Sequence, residues 1–175
     1  MKKALFFFAA LLCSSSVLAQ SVPEKTGMNS LLGMAPNTAD FIKEVAISDQ
    51  FEIQSSQLAQ TEHVPALESF AARMISDHQE TSGQLKEMVH GGNLQADLPT
   101  TLDSSHMAML DKLRKLHGNS FEEHYREDQI SAHQTAISLF QRYADNGENT
   151  ELKNWAAKTL PTLKSHLEMA RNLPH

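Results

Sequence analysis

LKNWAAKTLPTLKSHLEMARNL, residues 152–173, repeats apolar or small side chains at alternating steps of three and four: Leu152, Ala156, Thr159, Leu163, His166, Ala170 and Leu173. That spacing keeps side chains on one face of a 3.6-residue helix, so the stretch predicts an amphipathic helix whose buried row contains one histidine. Two further stretches carry the same signature. Leu67, Ala71, Met74, His78, Leu85 and Met88 form one row, which skips Thr81. Ile130, His133, Ile137, Phe140 and Ala144 form another. An earlier segment is split between the row Phe41, Val45, Ser48, Glu52, Ser55, Ala59 and a neighbouring row of Ile47, Phe51 and Leu58. Glu52 therefore falls on the core row or just beside it.

Helix boundaries follow from capping and breaking residues. Asn37 or Thr38 can cap the first helix, which runs to about residue 61, and Pro65 suits the first turn of the second, which Gly91-Gly92 ends. A connecting stretch with Pro99 leads to a short helix over 102–117 with Met109, Leu110, Leu113 and Leu116 facing inward, closed by Gly118. Ser120 and Glu123 form a capping box for a helix over 120–146, separated by Gly147 and Asn149 from the last one. Pro161 predicts a kink about one turn before His166. Short links make two antiparallel hairpins, and the long connection between them is the single crossover of ferritin-like topology. The expected fold is all-α: a ferritin-like four-helix bundle of two helical hairpins, with a short extra helix in the crossover.

The N-terminus reads as a secretory signal peptide over 1–19: Lys2 and Lys3, an apolar run from Ala4 to Leu12, then Val17-Leu18-Ala19 as a small-residue cleavage site. Residues 20–36 read as a flexible leader and 37–175 as the bundle domain. The expected location is the periplasm or the bacterial envelope. Cys13 is the only cysteine of the 175 residues, so the processed chain has none, which excludes disulfides and thiol catalysis. The formal charge of −6 becomes two units more negative once Lys2 and Lys3 are removed. Without a basic patch or a second long apolar stretch, nucleic acid is not an expected partner and no transmembrane segment follows the signal. Oligomeric state has no signature in the sequence.

The segments NTADFIKEVAISDQFEI (37–53), FAARMISDH (70–78), LRKLHGNSFEEHYREDQISAHQTAISLF (113–140) and LKNWAAKTLPTLKSHLEMAR (152–171) resemble an exported bacterial family, domain of unknown function 4142. The Met-x-x-Asp-His step at 74–78, Gly-x-x-Phe at 118–121, His133-Gln134 and Leu-Pro-Thr-Leu-x-x-His at 160–166 carry the likeness. The resemblance implies a ferritin-like bundle in the periplasm or envelope, with Glu52, Asp77, His78, Tyr125, His133 and His166 on the family's characteristic positions.

Ferroxidase chemistry does not follow from such a fold. A di-iron centre needs Glu-x-x-His on two helices, and the residues three before His78 and His166 are Ile75 and Leu163. Glu87 and His90 have the spacing but lie at a helix end beside glycines. Two readings of the interior histidines remain. In one, the chain is a non-enzymatic envelope protein with a structural, stress-related or partner-binding role, and the histidines are hydrogen-bonded to Asp77, Glu52, Tyr125 or a serine. In the other, it is a metal-binding or redox protein in which His78, His133 and His166, with Glu52 or Asp77, hold zinc, copper or iron. His106, Met107 and Met109, with Met28 and Met34, offer a softer copper set, against which stands methionine as core filler. His63, His117, His124 and His175 read as surface or terminal residues. The chain lacks Gly-x-Ser-x-Gly, His-Glu-x-x-His, a P-loop and Gly-x-Gly-x-x-Gly, so nothing in it specifies an enzyme.

Overall fold

A computed structural model describes residue 30, residues 32–91, residue 94 and residues 96–174. The expected signal peptide with Cys13 and the expected cleavage site, most of the expected leader with Met28, Gly92 and His175 lie outside the described residues. Five helices make up the described chain: α1 (Thr38–Thr61), α2 (Pro65–Gly91), α3 (Ser104–Leu113), α4 (Gly118–Asn146) and α5 (Thr150–Arg171). No strand occurs among the described residues, so the class is all-α. None of these helices is long and apolar enough to cross a membrane.

Caps fix the helix starts. Asn37, Asp103 and Asn149 each accept a hydrogen bond from the backbone N–H three residues on, at 2.8, 3.0 and 3.0 Å, which satisfies one free donor of α1, α3 and α5. The capping box expected at Ser120 is absent. The helix begins two residues earlier, because Gly118 adopts φ +53 and turns the chain directly into α4 behind His117, whose side chain makes no cap bond. The crossover helix is also shorter than 102–117, ending at Leu113. Its core residues are Leu110 and Leu113, with Met109 and Leu116 packed at the edge. Between α4 and α5 the chain passes so close to Tyr143 that a Cβ at Gly147 would stand 2.6 Å from that ring and from its carbonyl oxygen. Only glycine fits there.

α1 packs along α2 and α4 along α5, and the two hairpins meet with α1 on α4 and α2 on α5. α3 lies against α1 and α4. This explains the double row of α1: Ile47 and Phe51 are buried under Leu102 and Leu110 of the crossover, while Phe41 and Val45 face the bundle axis. Of the expected α4 row, His133 and Phe140 are buried, while the other three positions give way to the residue before them. Gln129, Ala136 and Tyr143 are buried there instead, and Ile130, Ile137 and Ala144 flank them. Helical side chains lean toward the N-terminus, and Gln129 is drawn inward by a bond to Ser55. In α5 every residue of the expected row is buried, and the helix continues through Pro161.

Besides the patch under the crossover, apolar packing is divided in two. One cluster joins Phe41, Leu85, Phe140, Tyr143, Leu152 and Trp155 near one end, and the other joins Leu67, Phe70, Met74, Phe121 and Tyr125 near the opposite end. Between them lies a buried polar layer of Asp49, Glu52, Ser55, Ser56, His78, Gln129, His133 and His166.

Candidate metal centre

The three interior histidines stand at one height in the bundle. His78 on α2, His133 on α4 and His166 on α5 are 4 %, 1 % and 1 % exposed, and their ring centroids are 5.6, 5.6 and 5.3 Å apart. Each offers one ring nitrogen, and these three atoms all lie within 4.8 Å of one another.

The outer nitrogens are all engaged. Nδ1 of His133 donates to the Gln129 carbonyl at 2.8 Å, and because a carbonyl only accepts, that nitrogen carries the hydrogen. Nδ1 of His78 donates to Oδ1 of Asp49 at 2.8 Å, while Oδ2 of Asp49 accepts from Thr81 and Ser82, both at 3.0 Å. Nε2 of His166 donates to Oδ2 of Asp77 at 2.8 Å, and the same oxygen accepts from Nε of Arg73 at 2.7 Å. The remaining nitrogens, Nε2 of His78, Nε2 of His133 and Nδ1 of His166, are buried without a hydrogen-bond partner. In a neutral ring each of these nitrogens carries a lone pair. Leaving a buried polar atom unsatisfied costs roughly 1–3 kcal/mol, so this arrangement is unfavourable unless something accepts all three.

Electrostatics favour neutral rings for two of the three. Burial, together with the neighbouring His78, pushes His133 down to about 3. Burial also lowers His166, against the opposing bond to Asp77. In His78 burial works in the same direction, but the hydrogen bond and charge of Asp49 outweigh it and raise its pKa. At Asp77 burial is overcome by the bonds from Arg73 and His166, which lower its pKa.

Glu52 and Asp77 stand behind the rings. Asp77 meets the outer nitrogen of His166, and Oε1 of Glu52 is 3.8 Å from Nδ1 of His133, the nitrogen already bonded to Gln129. Glu52 is itself unusual, since burial pushes its carboxyl up to about 7, against the nearby His78 and a hydrogen bond from Gln129. Sequence reasoning missed Asp49, which orients His78. Its signal was present in the row Val45, Asp49, Glu52, Ser56, where an apolar stripe turns polar at the height of the histidines. Tyr125 bonds Ser56 at 2.8 Å and packs between Phe70 and Phe121 rather than meeting a histidine. His106 bonds Asp103 at 2.8 Å and lies against Phe51, Met107 is exposed, and Met109 packs on the core. Glu87, His90, His63 and His117 are exposed, and His124 is half-buried with Nδ1 on the Ser120 carbonyl.

The raised Glu52 makes a prediction for the metal-free protein. A group whose folded pKa lies above its unfolded value contributes stability below the unfolded pKa, here 4.5, and loses it as pH rises toward 7. Glu52→Gln should match wild type near pH 4.5 and exceed it at pH 8, by on the order of 3 kcal/mol. Denaturant unfolding at the two pH values checks it, and a constant difference between the proteins would exclude the linkage.

Comparison with known proteins places this architecture. A family model described as a domain of unknown function, DUF4142, matches residues 23–173. One similar solved structure, described as "CopM in the Cu(II)-bound form", superposes with a TM-score of 0.65 at 19 % identity, covering 79 % of this chain and 95 % of that one. No curated protein matches the chain.

Proposed function

Because this chain belongs to the DUF4142 family, whose description leaves its chemistry open, we propose that it is a metal-binding protein of the bacterial envelope that holds one Cu(II) ion in the middle of its bundle. His78 and His133 supply Nε2 and His166 supplies Nδ1. The observation that carries the reading is three buried imidazoles from three helices that each offer a ring nitrogen within 4.8 Å of the others, each ring locked by a bond at one nitrogen while its second nitrogen has no hydrogen-bond partner. Metal-ligating histidines are characteristically held this way, by a carboxylate or carbonyl behind the ring. Asp49, Asp77 and the Gln129 carbonyl occupy those supporting positions, and Glu52 supplies a compensating carboxyl beside His133.

Three imidazoles without thiolate or thioether suit Cu(II), zinc, iron or nickel, and the ordering of divalent affinities puts copper first. The Cu(II)-bound state of CopM, a protein of the same fold, points the same way. A signal peptide over 1–19 and a leader over 20–36 ahead of the bundle domain would place the site where metal arrives from outside the cell.

Calorimetric titration of Cu(II) and, separately, zinc into the metal-free protein tests this reading. One equivalent of Cu(II) should bind, with nitrogen hyperfine structure from the imidazoles in its electron paramagnetic resonance spectrum. Zinc binding more tightly than copper would transfer the site to zinc. No uptake of either ion would return the histidines to a structural polar layer.

A further inference from the structure

Among the described residues, the bundle has two seams where its hairpins meet, and a helix lies over one of them. α3 lies over α1 and α4, whereas no other described helix lies over the line where α2 meets α5. A groove of about 370 Å³ opens there, its floor including Asp77, Thr81, Lys158, Thr159 and Thr162. On the inner side of the same threonines is a cavity of about 20 Å³ that touches Asp49, His78 and Leu163, large enough for roughly one water molecule. Thr81 and Thr159 line both spaces. They are the wall between solvent and the histidine layer.

The seam is stitched on either side of that wall. About one turn away in one direction, Trp155 Nε1 donates to Gln84 at 2.7 Å, and about two turns away in the other, His166 donates to Asp77 at 2.8 Å. Between the stitches no bond crosses. The Thr159 hydroxyl donates to the Trp155 carbonyl of its own helix at 2.9 Å, and the Thr81 hydroxyl turns to Asp49 on α1 and to carbonyls of its own helix. Parting α2 from α5 at this height therefore breaks side-chain packing and no hydrogen bond.

We infer that the α2–α5 seam is the access route to the buried histidines, and that Thr159 against Thr81 is its constriction. The identity of the travelling ion rests on the copper reading above, whereas the route does not. Two variants test it: Thr159→Ala, which widens the constriction, and Thr159→Leu, which fills it. In metal-free protein, exchange of the His78 Nδ1 proton with water, followed by nitrogen-15 NMR, should speed up by at least about fivefold in Thr159→Ala and slow in Thr159→Leu, as expected of a gate. Stopped-flow uptake of Cu(II) and its release to a chelator should change together by a similar factor, leaving Kd within about twofold. Proton exchange within about twofold of wild type in both variants overturns the route, as does a change confined to the copper release rate, which would mark Thr159 as tuning affinity instead. If the wild-type protein takes up no copper, the function is refuted and proton exchange alone decides the route. If Thr159→Leu fails to fold, Thr159→Ala decides it.

Discussion

On the proposed copper reading, Cu(II) should raise the melting temperature of the wild-type protein, and His133→Ala should abolish that rise and weaken copper binding by more than about 100-fold, beyond the roughly 10–100-fold cost of losing an outer-shell partner. In the proposed site His133 would be the ligand least able to be replaced. It is 1 % exposed, its ring is fixed by the Gln129 carbonyl, and its pKa of about 3 keeps Nε2 free of a competing proton at any physiological pH. His78→Ala and His166→Ala should behave similarly, because each removes one of only three nitrogens. His117→Ala, which alters an exposed ring bonded to Glu62, should be silent. A structural polar layer makes the opposite forecast: each interior variant would lose stability to the same extent with or without copper. Thermal melts of the four variants, with and without one equivalent of Cu(II), distinguish the two, and persistence of the copper-induced shift in His133→Ala would sink the assignment.

Phe41→Ala should be the most damaging substitution outside the polar layer, at about 3–5 kcal/mol. Its ring is fully buried, stacks on Tyr143 with centroids 4.0 Å apart and planes 12° from parallel, and meets Phe140 edge-on at 5.2 Å and Trp155 at 6.3 Å. Removing it opens a cavity at the junction of α1, α4 and α5 and also forfeits aromatic pairing worth about 0.5–1.5 kcal/mol per pair. Many single domains have a total stability of only about 5–15 kcal/mol, so this one change takes a large share. Met107→Ala, on a 46 % exposed side chain, should stay within about 0.5 kcal/mol of wild type by the same chemical denaturation. Equal losses for the two would mean that the aromatic cluster does not hold that end of the bundle together.

Periodicity gave the all-α class and the presence of one histidine on each of three buried rows, because a row is a local property of a 3.6-residue repeat, and the short links gave the two hairpins. All seven residues of its last row, Leu152 to Leu173, are buried. In α4 it placed His133 and Phe140 correctly but put Ile130, Ile137 and Ala144 one position late, since the choice between Gln129 and Ile130 depends on Ser55 across the bundle. The start of α4 was misread for a related reason: Ser120 and Glu123 satisfy a capping pattern, but the backbone turn at Gly118 preempts it.

That His78, His133 and His166 share one height was decided only by the tertiary structure. Height depends on how far each helix slides against its neighbours, which the connections and core packing set and no single row encodes. Which nitrogen of each ring stays free was likewise decided by partners remote in sequence or hidden in the backbone: Asp49 from α1, the Gln129 carbonyl, and Asp77 reaching from α2 to α5. The sequence by itself determined that three imidazoles would be buried. Only the fold brought the three rings together, with centroids 5.3 to 5.6 Å apart, because burial is a property of one helix face and convergence is a property of three helices held in register.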